Sequence, residues 1–347
     1  MSDTPLAIEI HPSGFPARVR AAALAGLRAG RIPARLLYQS DAQAERWLAY
    51  HRAYSPSRTD GAVRSLYREA FRTAVNFLGA GPLAAVSLGC GGGQKDGDLF
   101  DAVAPDARTQ CAYAPLDTSP ALVLEAALHV AERHPQLPAF PLVADLEADP
   151  DLPSWLDRSA GADLPRLYCA LGLLPNLDPA RLLAYLRRLP RSGDALPPSG
   201  DSLPRRGDAL LLSANQSPGG LGADGARILA QYDNPPARAW YLGALEGLGI
   251  LPLDVELRVE AVPVLPDGGW WRVAVTLLPR RDLDVPLHGE TVPWRAGQPL
   301  ALFQSHRFTP AALRDRLDAA GLEIVADWQG AQGEEGVYLL RGACAPG

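Results

Sequence analysis

The chain has 347 residues, 39 of them acidic and 33 basic, for a formal net charge of −6, with 47 % hydrophobic and 21 % charged side chains. These proportions fit a soluble globular protein and exclude collagen, coiled coil and wholesale disorder, and the length fits two domains at about 150 residues each. Mild acidity without a basic block argues against a nucleic-acid partner, and no stretch approaches the roughly 18 apolar residues of a membrane-spanning helix.

Four scattered cysteines (Cys90, Cys111, Cys169, Cys344) form no C-x-x-C pair. The expectation is neither a disulfide framework nor a zinc or other metal site, but a reducing cytoplasm. Met1 to Pro5 carries no signal-peptide pattern. A cytoplasmic protein acting on a small molecule, with no nucleic-acid or membrane partner, is the working expectation.

Residues 1 to 60 read as helix and loop, ending in Tyr54-Ser55-Pro56-Ser57-Arg58-Thr59-Asp60. A helix then starts near Gly61, with Val63, Leu66, Tyr67, Phe71 and Val75 on one face. Leu83 to Leu88 reads as a buried strand that runs into the loop Gly89-Cys90-Gly91-Gly92-Gly93. Cys111 to Leu116 is a second strand, with a helix from Pro120 to Glu132 after Asp117-Thr118-Ser119. Phe140 to Ala144 is a third strand and ends at Asp145. Leu167 to Leu171 is a fourth, followed by a helix from Pro179 to Leu189, and Ala209 to Ala214 is a fifth. Strands alternating with helices at this spacing predict parallel βαβ units in a doubly wound sheet. The fully apolar strands agree with a sheet covered on both faces. A degenerate Gly-Asp-x-Leu repeat between Pro190 and Leu210 reads as an expanded surface loop.

Beyond the fifth strand the rhythm changes. Leu229 to Leu248 looks helical, and Val255 to Val264 and Trp270 to Leu278 flank the hairpin signal Pro266-Asp267-Gly268-Gly269. Leu300 to Phe308 is a further strand, and Pro310 to Ala320 a helix capped by Thr309 and stopped by Gly321. Glu323 to Trp328 and Gly336 to Leu340 close the chain as an antiparallel pair. The expectation is an interleaved pair of domains: a core of residues 61–215 and 305–347, and an α+β substrate unit of residues 1–60 and 216–304.

A glycine loop at the C-terminal edge of a strand lets a ligand approach the backbone. Gln94-Lys95-Asp96 lacks the hydroxyl of a Walker A loop, and Gln94 stands where a dinucleotide loop needs its third glycine. The Leu-Gly-Cys-Gly form resembles motif I of the class I S-adenosylmethionine-dependent methyltransferases. Asp117 can accept both ribose hydroxyls of an adenosine, and Asp145 an adenine amino group; alternatively each caps a helix. Lys95, the sole lysine of the chain, either neutralises the cofactor's carboxylate or is solvated.

Further landmarks follow in order: Leu37-Tyr38, the Tyr54 to Asp60 segment, Leu88-Gly89-Cys90-Gly91 with Gln94-Lys95, Leu116-Asp117-Thr118-Ser119 and Ala144-Asp145-Leu146-Glu147. Then come Leu171-Gly172-Leu173-Leu174-Pro175-Asn176-Leu177, Gln231-Tyr232-Asp233-Asn234 and Ser305-His306-Arg307-Phe308. As a set they resemble the histidine-specific amino-acid α-N-methyltransferase family, from about residue 18 to 341. The resemblance implies a Rossmann-like class I core with an inserted α+β substrate-binding domain, and S-adenosylmethionine as cofactor. It assigns Gly89, Cys90, Gly91, Lys95, Asp117, Asp145 and Leu146 to the cofactor. Tyr38, Tyr54, Asn176, Tyr232, Phe303 and Ser305 fall to an amino-acid-like substrate, with Tyr54 and Asn176 nearest the chemistry.

Two departures stand out. Ser87 occupies a position that is usually acidic in these methyltransferases, and Phe303 one where the family carries a glutamate that reads imidazole. Loss of that acceptor removes a strong discriminating term. The expectation is a preference for a larger aromatic or apolar side chain, tryptophan or a derivative first, over histidine. No histidine is an obvious base; His306 reads as structural. The rival readings are a methyltransferase for another small molecule, a silent paralogue that binds cofactor or amino acid, and a nicotinamide-dependent reductase.

Overall fold

The computed structural model describes residues 6–160, 163–190, 207–287 and 289–342. Thirteen strands occur among these residues: β1 (Glu9–Ile10), β2 (Ala84–Leu88), β3 (Ala112–Asp117), β4 (Leu142–Val143), β5 (Arg166–Leu171), β6 (Ala209–Asn215), β7 (Val255–Pro263), β8 (Trp270–Pro279), β9 (Leu283–Leu287), β10 (Glu290–Trp294), β11 (Leu300–Phe308), β12 (Leu322–Gln329) and β13 (Glu335–Gly342).

Eight of them form one sheet in the order β1-β4-β3-β2-β5-β6-β13-β12. Pairing is parallel from β1 to β6 and antiparallel where β13 inserts between β6 and β12. Side chains alternate between two cores. Val86, Leu88, Tyr168 and Ala170 face one, and Ala85, Leu167 and Cys169 the other. This two-sided burial is why the strands read as unbroken apolar runs. The chain leaves β2 toward β3 on one side and returns to β5 on the other. The strand order thus reverses at the C-terminal ends of β2 and β5, where an open α/β sheet forms its ligand crevice.

A second, three-stranded antiparallel sheet has the order β11-β8-β7, and β9 and β10 form a separate hairpin. These pack with the helices Pro16–Arg28 and Pro235–Glu246 into a third core that holds Trp240, Tyr241, Val275 and Leu300. No helix of the described residues is long and apolar enough to cross a membrane.

The five expected βα strands occur, with the third shortened to Leu142–Val143. The single helix expected over Leu229 to Leu248 is two, Gly220–Tyr232 and Pro235–Glu246. Pro235 cannot continue the first helix, and the Asn234 side chain accepts from Ala237 N at 3.0 Å to start the second. The β9–β10 hairpin was not anticipated. β1, within a segment read as helix and loop, joins the edge of the large sheet. β11 runs through the expected boundary at 304/305, because its pairing with β8 continues to Phe308. Most of the degenerate repeat, like Cys344, lies outside the described residues.

Candidate active site

One cavity, of about 260 Å³, opens at the sheet's crevice. Its floor is the glycine loop, where Gly89, Gly91 and Gly93 all have positive φ, at 66°, 53° and 68°. At Gly93 no other residue fits. A Cβ there would lie 2.7 Å from Ala126 Cα, on the helix Pro120–Arg133 that packs behind the loop. Cys90 N–H donates to Leu116 O at 2.9 Å, which ties the loop to β3, and the Cys90 thiol is pushed up by burial.

Asp117, at the end of β3, accepts from Gly91 N at 3.3 Å and from Ser119 N at 3.1 Å. It does not cap the following helix, since Ser119 does, accepting from Leu122 N. The helix-cap alternative for Asp117 therefore fails. Burial raises its carboxyl pKa against the pull of these bonds. Asp145 does act as a cap: it accepts from Glu147 N at 3.0 Å and lies 3.6 Å from Arg35. Asp145 and Leu146 nonetheless line the cavity.

Lys95 lies in the first turn of the helix Gln94–Asp101 and is half-buried. Its Nζ donates to Tyr67 Oη at 2.9 Å and lies 4.2 Å from the centre of that ring, while Tyr67 donates to Glu335. Burial lowers the ammonium pKa, and Glu335 opposes the shift. The acid absent at position 87 is found next door. Asp96 is buried on the cavity wall and accepts from Ser87 Oγ at 2.9 Å and Tyr113 Oη at 2.5 Å. Burial pushes its carboxyl up to about 6.

The helix Asp41–Tyr54, started by a capping box between Ser40 and Gln43, lies over the loop. A Cβ on Gly91 would meet Trp47 Cη2 at 2.9 Å, and one on Gly92 would meet Leu48 at 3.1 Å. Trp47 stacks on His51 at 4.9 Å and meets the edge of Tyr38 at 5.8 Å. His51 lines the cavity with Nδ1 unpaired; burial, then Lys95 and Arg58, lower its imidazole to about 3. Arg58, also on the wall, is lowered to about 10 by burial.

The far end of the cavity is aromatic. Tyr50 stacks on Trp240 at 5.9 Å, Tyr54 lies 5.5 Å from Tyr50 at the mouth, and Tyr38 lies 5.6 Å from Trp240. Phe303 packs edge-on to Trp240 at 5.2 Å and contacts Tyr241 and Tyr232 at 5.7 and 6.2 Å. Asn176, after β5, donates from Nδ2 to Gly172 O at 3.2 Å, which leaves its Oδ1 as an acceptor. Tyr232 Oη lies 2.8 Å from Ser305 Oγ and accepts from Arg307 Nη2 at 2.7 Å.

All expected site residues but one lie on this wall. Ser305 is the exception: fully buried, it stands behind Tyr232 and is off the wall. Its expected direct contact with substrate is therefore replaced by a hydrogen bond to a residue that lines the cavity. His306 is structural, as expected. Its Nδ1 accepts from Trp270 Nε1 at 2.9 Å, and burial lowers it to about 4. Sequence reasoning missed Trp47, Tyr50, His51, Arg58, Asp96 and Arg307. For three of these a signal was available, since Trp47, Tyr50 and His51, together with the expected Tyr54, follow the i, i+3, i+4, i+7 spacing of one helix face.

A family model described as histidine-specific methyltransferase, SAM-dependent, matches residues 19–342. The chain belongs to that family. It is a SAM-dependent methyltransferase with a Rossmann-like class I fold. No curated protein matches it. Among solved structures, the magnesium protoporphyrin IX methyltransferase of Synechocystis PCC 6803 with bound SAH is 14 % identical, over 87 % of this chain and 95 % of that one, with a TM-score of 0.42. The 1,6-didemethyltoxoflavin-N1-methyltransferase of Burkholderia thailandensis is also 14 % identical, over 87 % and 89 %, with a TM-score of 0.41.

The wall suits the cofactor of this family. The glycine loop lines the cavity with backbone, and Asp117 offers carboxylate oxygens beside it. Arg58 has no acceptor for its guanidinium among the described residues, so together with Lys95 it offers positive charge to a carboxylate.

Proposed function

We propose that this methyltransferase acts on the α-amino group of an amino acid whose side chain is aromatic or apolar, tryptophan or a derivative first, rather than histidine. The observation that carries the reading is the single cavity in which the glycine-loop wall meets an aromatic wall. In this reading Gly89, Cys90, Gly91, Lys95, Asp117, Asp145 and Leu146 hold the cofactor, and Tyr38, Tyr54, Asn176, Tyr232 and Phe303 the acceptor. Phe303, among Trp240, Tyr241 and Tyr232, offers no charge to an imidazole. It offers ring faces and edges, which favour another aromatic group by roughly 0.5–1.5 kcal/mol per pair.

The bound cofactor supplies an electrophilic methyl group on its sulfonium. The protein's task is alignment, presenting the amine lone pair in near-attack geometry. Asn176 Oδ1, with Nδ2 anchored to Gly172, is an acceptor that fixes one amine N–H. Tyr54, exposed on the cavity wall, is the second residue assigned to that group. Tyr232, whose oxygen already accepts from Arg307, has its own proton to donate, either to Ser305 or to the acceptor's carboxylate.

The amine must be neutral to react, and the imidazole and phenols of the wall supply no base near neutral pH. His51 is held near 3, and burial pushes the Tyr38 and Tyr50 phenols up, so that they donate rather than accept. The cationic wall of Arg58, Lys95 and Arg307 instead disfavours the ammonium form, and its proton leaves to water. A methylation assay over the twenty amino acids with S-adenosylmethionine tests the reading. The expected result is preferred turnover of aromatic amino acids, rising with pH; selective turnover of histidine would refute it.

A further inference from the structure

We propose that Arg307 is the counter-charge for the carboxylate of the methyl acceptor, an inference that rests on the proposed function and names the group that function recognises. Three arginines among the described residues are buried: Arg35, Arg166 and Arg307. Arg35 lies 3.6 Å from Asp145, and Arg166 is paired with Asp157. Arg307, only 4 % exposed, has no carboxylate partner among the described residues. Among the described residues its side chain makes one hydrogen bond, from Nη2 to Tyr232 Oη at 2.7 Å, and Nε has no acceptor; its guanidinium carbon sits 5.4 Å from the centre of that ring.

A buried charge without a partner is costly and calls for an anion. The protein's own candidates are committed elsewhere. Glu334 is held by Arg227 and by Gln231 Nε2, and Glu335 accepts from Tyr67. Arg307 also lines the cavity, on the wall shared with Asn215 and Tyr232. A carboxylate seated there would receive one N–H from the guanidinium and the phenolic proton of Tyr232. That pairing fixes one end of the acceptor while Asn176 and Tyr54 hold its amine. It also selects for acids: an amine of the same side chain without the carboxylate would leave the guanidinium unpaired.

The test is calorimetric binding to protein saturated with S-adenosylhomocysteine. The ligands are the twenty amino acids, the matched amines of the aromatic ones (tryptamine, tyramine, phenethylamine), and the matched aryl-propionic acids that lack the amino group. The wild-type protein is expected to bind at least one aromatic amino acid and its propionic acid, and to bind the amine at least tenfold more weakly. Arg307→Gln weakens the carboxylate ligands by about 10- to 100-fold, and Arg307→Lys, which keeps the charge without the fork, recovers part of that loss. Both variants are expected to keep wild-type affinity for S-adenosylhomocysteine, and thermal unfolding with circular dichroism serves as the check on folding. Carboxylate binding unchanged in Arg307→Gln, amines bound as tightly as amino acids, or no carboxylate bound by the wild type would each overturn the proposal. So would an equal loss of S-adenosylhomocysteine affinity in both folded variants, which would assign the guanidinium to the cofactor's carboxylate. Carboxylate binding that depends on Arg307 without methylation of any amino acid would uphold this inference and sink the proposed function.

Discussion

Gly91→Ala tests whether the helix Asp41–Tyr54 presses on the cofactor loop. At φ 53° an alanine carries a left-handed strain of about 1–2 kcal/mol, offset in part by its smaller unfolded-state entropy. The new Cβ would also sit 2.9 Å from Trp47 Cη2 and 3.2 Å from Cζ3. Normal carbon contacts begin near 3.5 Å, so the ring must withdraw by roughly 0.6 Å. Withdrawal loosens its stacking on His51 and its edge contact with Tyr38, each worth about 0.5–1.5 kcal/mol. The combined cost is about 2–4 kcal/mol, divided between global stability and cover over the loop. Thermal unfolding and S-adenosylhomocysteine calorimetry of Gly91→Ala, Trp47→Leu and the double variant separate the strain from the clash. Trp47→Leu removes the clashing ring, so the double variant is expected to lose at least about 1 kcal/mol less than the sum of the single losses. Additivity within about 0.5 kcal/mol would refute the contact, and unchanged cofactor affinity in Gly91→Ala would refute the role of that helix as cover.

Asn176→Ala is expected to lower turnover of the preferred amino acid by about 10- to 100-fold with S-adenosylhomocysteine affinity retained; normal turnover would remove Asn176 from the site. Asp96 has a folded pKa of about 6, above its ordinary value of 3.8, so its contribution to stability is present in acid and is lost as pH rises from about 4 to 6. Asp96→Asn is expected to abolish that loss, on the order of 3 kcal/mol, in urea melts compared at pH 4 and 7. His306 works in the opposite sense. Its folded pKa near 4 lies below the ordinary 6.5, so its stability is lost as pH falls through that window. His306→Gln should flatten this acid limb, and an unchanged limb would show that burial of His306 is not its source.

The large sheet was legible in the sequence because β2, β5 and β6 are buried on both faces and therefore read as apolar runs. The β9–β10 hairpin was not legible, because Leu283–Leu287 and Glu290–Trp294 place polar and proline residues at exposed positions and carry no strong turn pair between them. The glycine loop, Asp117 and Asn176 could be placed from motif order alone. Asp96 could not: its role depends on Ser87 and Tyr113 meeting it across the fold, and no local pattern records that.

Arg307 is a different case, because a local rule would have found it. Successive side chains of a strand point to opposite faces. Ser305 was assigned to the site, so its partners on that face are Phe303 and Arg307, whereas His306 faces the other way. The neighbours follow that alternation: Phe303, Ser305 and Arg307 all meet Tyr232, while His306 accepts from Trp270. By residue type alone His306 is the stronger candidate there, because imidazole is the commoner catalytic group. Strand periodicity outranks that expectation here. It brings an uncompensated guanidinium, rather than a base, to the cavity, and that suits a reaction in which the protein must hold an anion and need not take up a proton.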